Sequence, residues 1–131
     1  MVQIKTKLIY FVSSETVNRL MEVKRIFDLI PHQIQKHPLD VAFAGKEKGD
    51  WVTYSSHDFK KYADLVSYAL LAKGIGKNDK VAILSNNRPE WNFTDLGVLQ
   101  IGAVDVPIFP TISENDLKFI LEDAEVKIIF V

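Results

Sequence analysis

Three apolar runs open at Val81, Val104 and Lys127, a constant 23 residues apart, and a helical pattern fills each gap between them. Few folds accept that spacing. Two strands joined through a helix pair in parallel, because a parallel return needs a long crossover where an antiparallel one needs only a tight turn. Right-handed crossovers then lay the helices on the sheet. Val81-Ala82-Ile83-Leu84, Val104-Asp105-Val106-Pro107-Ile108-Phe109 and Lys127-Ile128-Ile129-Phe130-Val131 therefore predict a parallel βαβαβ sheet with flanking helices, an α/β fold class. Pro107 lacks an N–H and is expected at the frayed end of its strand.

The intervening helices carry their own signals. Pro89 suits a first helical turn, where its missing N–H has no partner to lose, and Trp91, Leu96, Val98, Leu99 and Ile101 continue that helix to Gly102. Ser113 with Asp116 caps a helix bearing Leu117, Ile120 and Leu121. Upstream, Ser55 stands three residues before Asp58 as in a capping box. Phe59, Tyr62, Ala63, Val66, Ala69 and Leu70 then form an apolar stripe, which Gly74 is placed to end. Before that helix, Val41–Ala44 and Trp51–Tyr54 are strand-like around the turn residues Lys48-Gly49-Asp50, so a short β-hairpin is expected. Val23, Ile26, Phe27, Ile30 and Ile34 share one helical face. Pro31 predicts either a kink there or a helix beginning just before it, and His37-Pro38 ends the segment.

A length of 131 residues allows one domain with a single core. Apolar and charged fractions of 47% and 25% exclude a disordered chain, and a net charge of −1 offers nothing to attract a nucleic-acid backbone. The chain has no cysteine, which removes disulfides, thiolate nucleophiles and cysteine metal sites together and fits a cytoplasmic location. Lys5 and Lys7 precede the apolar run Leu8–Val12, but the run is too short for a secretory signal and leads into Ser13-Ser14-Glu15. No window approaches the roughly 18 apolar residues of a membrane span.

Several motifs fail a chemical test. Gly74-Ile75-Gly76 follows a helix and precedes a strand, the reverse of a dinucleotide-binding loop. Gly76-Lys77 lacks the flanking residues of a phosphate-binding loop. His32, His37 and His57 show no metal-ligand spacing, and Ser55 and Ser85 have no partner for a nucleophilic triad. Asn86-Asn87-Arg88-Pro89-Glu90-Trp91 is more informative, because it follows the carboxyl end of a parallel strand, where open α/β sheets place ligands. Two readings stand. The segment is a helix start with Trp91 turned into the core, or Arg88 and Trp91 line a substrate pocket.

The run from Val81 through Asn86-Asn87-Arg88-Pro89-Glu90-Trp91 and Gly102-Ala103-Val104-Asp105-Val106-Pro107-Ile108-Phe109-Pro110-Thr111, continuing through Ile120–Lys127, resembles the amino-terminal part of AMP-forming long-chain fatty acyl-CoA synthetases. Trp51-Val52-Thr53-Tyr54 is similar to that family's early Thr-Tyr element. Arg-Pro-Glu-Trp followed by Val-Pro-Ile-Phe-Pro-Thr leans to the long-chain branch over peptide-synthetase adenylation domains and luciferases. The resemblance implies a two-step ligase: a fatty acid and ATP-Mg form an acyl-adenylate, and coenzyme A then displaces AMP. In that family the phosphate loop, its lysine and the Tyr-Gly-x-Thr-Glu stretch lie further downstream, and none occurs here. Arg88, Trp91 and Thr111 are the substrate-binding candidates; no catalytic, cofactor-binding or metal-binding residue is assigned, and this piece alone is expected to be inactive.

The expected organisation is an extension of unclear status over residues 1–20 and an incomplete amino-terminal α/β portion over 21–131, with Met21 as a candidate natural start. The last strand is nearly all apolar. Burying Ile128, Ile129, Phe130 and Val131 would contribute about 1.5–3 kcal/mol each, comparable in sum with the stability of a whole domain, about 5–15 kcal/mol. A covering layer, the remainder of a synthetase chain, is the expected partner, with self-association through that strand as another use of it. The parent enzyme is expected in the cytoplasm or peripheral to a membrane. The rival class is a free-standing, non-catalytic α/β binding or interaction domain. A receiver-like version of it would need an acidic cluster at the strand ends, where Ser85, Asn86, Pro110 and Thr111 stand instead.

Overall fold

The computed structural model describes residues 23–131. The expectations for residues 1–20, for a secretory signal and for a start at Met21 lie outside the described residues. A 3-10 turn over Ile26–Asp28 leads into α1 (Leu29–Lys36), then β1 (Phe43–Glu47), β2 (Asp50–Tyr54), α2 (Ser56–Ala72), β3 (Lys80–Leu84), α3 (Pro89–Gln100), β4 (Val104–Ile108), α4 (Glu114–Asp123) and β5 (Val126–Phe130). β1 and β2 form an antiparallel hairpin, and β4-β3-β5, in that order, form a parallel sheet.

The helix boundaries follow from local chemistry. Pro31 falls in the first turn of α1, so of the two readings the helix starts just before it. At α2 the Ser55 hydroxyl accepts from the Asp58 amide at 3.1 Å while the Asp58 carboxylate accepts from the Ser55 amide at 2.9 Å. The helix stops in a Schellman arrangement. Gly74, at φ +79°, donates to Leu71, and Ile75 donates back to Leu70 at 3.0 Å. Ser113 caps α4 by accepting from the Asp116 amide.

The hairpin begins later than its apolar residues suggest. Val41 is exposed and unpaired, and the strand runs instead through Gly45-Lys46-Glu47. Lys48 and Gly49 at φ +50° and +100° make a two-residue turn of the type whose twist matches the strands, and that turn sets the register. Gly45 is needed for packing, since a Cβ there would sit 2.8 Å from Pro89 Cδ at the start of α3. Pro107 also departs from expectation. It lies within β4 opposite Ile83, one residue before the strand's end. β4 has β3 on one side only, and an edge strand tolerates a missing donor.

Full burial falls on β3, whose Val81, Ala82 and Ile83 are 0–1% exposed. On one face Val81 packs with Leu70, Ile75, Val98 and Ala103, flanked by Ile128 and Phe130. A second cluster of Phe59, Ala63, Phe93 and Leu96 joins α2 and α3 to the hairpin through Phe43 and Tyr54. Ring centroids there lie 4.8 Å apart for Phe43–Phe59 and 5.2 Å for Tyr54–Phe93, close enough for edge-to-face attraction. β5 has one neighbouring strand, and its Ile128, Ile129 and Phe130 are half-buried, short of the two-sided cover its composition suggests. Its register shifts at Lys80/Val81, leaving Lys127 exposed, with its ammonium 2.6 Å from Asp79.

α2 and α3 approach closely at Gly97. A Cβ there would meet Val66 Cβ at 2.6 Å and the Ala63 carbonyl at 2.8 Å. Gly97→Ala is therefore expected to destabilise the chain by about 1–3 kcal/mol although alanine is the better helix former. The urea midpoint of the variant measures it.

Candidate functional site

The sheet order decides where a ligand fits. From β3 the chain steps to β4 on one side, then returns past β3 to β5 on the other. Two right-handed crossovers in opposite directions put α3 and α4 on opposite faces, and the loops after β3 and β4 diverge. A crevice opens between them at the carboxyl ends of the strands, the topological switch point of an open sheet. It is a cleft of about 450 Å³ lined by Ser85, Asn86 and Asn87 from the first loop, Trp91 from α3, and Pro107 to Pro110 from β4 and its loop.

Of the three residues singled out in the sequence, Trp91 lines this cleft and also two adjoining grooves of about 420 and 220 Å³. It is half-buried, one turn into α3. Arg88 faces those two grooves and not the switch-point cleft. Its guanidinium donates to both Glu90 oxygens, at 2.8 and 2.9 Å, and this pair holds the Glu90 carboxyl below its ordinary range. Thr111 is exposed in the turn after Pro110 and is absent from the lining. The sequence reading missed Ser85, Asn86, Asn87 and Phe109 as lining residues, although the switch-point rule applied to both strand ends identifies them.

Among the described residues no charged side chain lines the cleft. Phosphate recognition needs cations, a glycine-rich nest of backbone N–H groups or a bound metal, and the described residues hold no group of three or more His, Cys, Asp or Glu suited to a metal ion. ATP-Mg is therefore not matched by the groups in this cleft. They suit a neutral ligand portion that packs against Trp91, Ile108 and Phe109 and hydrogen-bonds Ser85, Asn86 or Asn87.

Below the cleft lies a feature the sequence reading did not anticipate. Asp95 of α3 and Asp105 of β4 are half-buried, and one oxygen of Asp105 is buried without a partner. Burial, and next the Asp95 charge, push the Asp105 carboxyl up to about 7, and burial also raises Asp95.

With this geometry in place, the sequence pattern of the AMP-binding enzyme family matches residues 30–131. The chain belongs to the AMP-binding enzyme family. Among its members it is 30% identical over 82 residues to long-chain-fatty-acid–CoA ligase FadD15 of Mycobacterium bovis, covering 63% of this chain and 14% of that protein. It is 31% identical over 101 residues to tyrocidine synthase 3 of Brevibacillus parabrevis, covering 77% of this chain and 2% of that protein. Among solved structures, a fatty acid AMP ligase from Legionella pneumophila superposes with a TM-score of 0.70 at 21% identity, over 79% of this chain and 18% of that one. The Mycobacterium tuberculosis fatty acyl CoA synthetase gives 0.58 at 32% identity, over 60% and 16%. The chain thus spans a small part of each relative, and its α/β fold is that of the amino-terminal domains of these enzymes. Among the described residues no helix is long and apolar enough to cross a membrane.

The carboxyl pair makes stability depend on pH with a definite sign. Asp105 is raised from 3.8 to about 7 in the folded chain, so the folded state keeps a proton that the unfolded state has released. Stability contributed at low pH is therefore lost as pH rises between about 4 and 7, and is level above that. Urea midpoints are expected to fall by the equivalent of about 1–2 kcal/mol across this window, a modest figure because solvent screens a half-buried pair. Asp105→Asn is expected to remove most of the fall.

Proposed function

We propose that this chain is the scaffold portion of an AMP-forming fatty acid–CoA ligase, and that its switch-point cleft supplies one wall of the acyl pocket. The observation that carries the reading is a cleft with apolar and amide lining and, among the described residues, no charged side chain, at the ligand-binding end of a parallel sheet. An aliphatic chain has no charge to pair, and its burial is favoured by about 25 cal/mol per Å² of apolar surface. Trp91 is the residue placed to meet it. Membership of the AMP-binding family and the likeness to FadD15 support the activity assigned to the whole protein, which is ATP-dependent adenylation of a fatty acid followed by thioester formation with coenzyme A.

In this reading ATP, magnesium and coenzyme A are held by the remainder of the synthetase, which packs on the half-buried apolar residues of β5, and the whole enzyme works in the cytoplasm. Arg88 and Thr111 stand at the margin of the acyl wall, where contact with substrate depends on that remainder. Scaffold and chemistry are separate.

The 131-residue chain alone is accordingly expected to give no exchange of labelled pyrophosphate into ATP in the presence of a long-chain fatty acid and magnesium. Exchange by the pure chain above the protein-free background overturns the assignment of a scaffold role.

A further inference from the structure

Trp91 stands where three spaces meet. The switch-point cleft of about 450 Å³ shares Asn87 with the groove of about 420 Å³ beside the hairpin, and Ser85 with the groove of about 220 Å³ beside β5. The two grooves share Arg88. Trp91 lines all three, so its side chain is the wall common to them. That wall is held from behind. Pro89, two residues earlier, sits against Gly45 of β1, and the ring of Phe93, two residues later, lies 5.2 Å from those of both Tyr54 and Tyr62.

Charge decides which groove continues the cleft for an aliphatic chain. The groove beside β5 carries both members of the Arg88–Glu90 ion pair, and covering it with hydrocarbon would strip water from two charges. The hairpin groove offers Phe43, Ala44 and Pro89 together with the amides of Asn87 and Asn92. Among the described residues its one charged side chain is Arg88, whose guanidinium donates to Glu90. An aliphatic chain is therefore accommodated on the hairpin side and disfavoured on the β5 side.

We infer that Trp91 sets the length of aliphatic chain that the switch-point cleft accepts, by standing as a partition between that cleft and the hairpin groove. The inference rests on the reading of the cleft as an acyl wall. With the ring in place, the chain stops against it and stays within about 450 Å³. Without the ring, cleft and hairpin groove join, and the space open to the chain nearly doubles. The role of Trp91 is in specificity.

1-Alkanols test this in the 131-residue chain, because they present the aliphatic chain without a charge. Each methylene that finds apolar cover raises affinity about fourfold, and one that finds none adds nothing. In Trp91→Ala, 1-hexanol loses the ring and 1-decanol gains the groove. The ratio of their affinities, read from amide chemical-shift titrations, is expected to move by about tenfold or more towards 1-decanol, the equivalent of two further buried methylenes. The amides of Phe43, Ala44 and Asn92, still in the unsubstituted chain, are expected to move with 1-decanol in the variant. Trp91→Leu keeps an apolar side chain at the helix start and is expected to act in the same direction, which covers the case where alanine impairs folding. Ala44→Leu fills the groove from the hairpin side and is expected to reverse the effect of Trp91→Ala. If 1-alkanols move neither the Ser85–Asn87 amides nor those of Ile108 and Phe109, the acyl-wall reading falls and the inference falls with it. If the cleft amides respond but the ratio is the same with and without the ring, or Phe43 and Ala44 already respond in the unsubstituted chain, the partition alone is overturned.

Discussion

The fold depends on burying β3 on both faces. Val81, Ala82 and Ile83 are closed to solvent, and a parallel strand reaches that state only with a neighbour on each side and a layer on each face. β4 and β5 supply the neighbours. On the α3 face the layer is formed by Val98 of α3 and Leu70 of α2. Placing β4 and β5 on opposite sides of β3 forces the chain to reverse direction between them, and the crevice at the strand ends is a consequence of that reversal. The cleft follows from the core.

A second set of contacts fixes the angle at which α3 enters. Pro89 sits against Gly45 of the hairpin, Gly97 sits against Val66 of α2, and Phe93 lies among Phe43, Tyr54, Phe59 and Tyr62. Aromatic pairs of this geometry contribute about 0.5–1.5 kcal/mol each beyond area burial. With α3 held at its start, middle and end, the half-buried Trp91 is carried on a fixed helix. Ser67 adds a polar tie, donating to the Gly97 carbonyl at 2.8 Å and accepting from Gln100 at 3.0 Å. The hairpin, remote from the sheet in sequence, thus helps position the cleft.

What was legible in the sequence is what local chemistry dictates. The Ser55–Asp58 box, the Gly74 stop, Pro89 at a first turn and the three strands all depend on residues a few positions apart. Strand order was not legible, because a 23-residue repeat is equally compatible with stepping onward and with doubling back. The start of β1 was missed for a different reason. Gly45-Lys46-Glu47 has poor strand propensity, and pairing imposed by the Lys48-Gly49 turn overrides it. Within the site, the place of the segment Asn86–Trp91 was legible through the rule that ligands gather at strand ends, although only Arg88 and Trp91 of it were singled out. The Asp95–Asp105 pair was not: ten residues and a helix-to-strand connection separate its members, and only the crossover brings them together.

Native-state hydrogen exchange tests the central claim most directly. If β3 is the strand enclosed on both edges and both faces, the amides of Val81, Ala82 and Ile83 exchange most slowly in the chain, at the rate of global unfolding. Those of β4 and β5 exchange faster. Slowest exchange in β5 or in the hairpin, with β3 amides opening readily, would contradict the sheet order and remove the basis for the cleft.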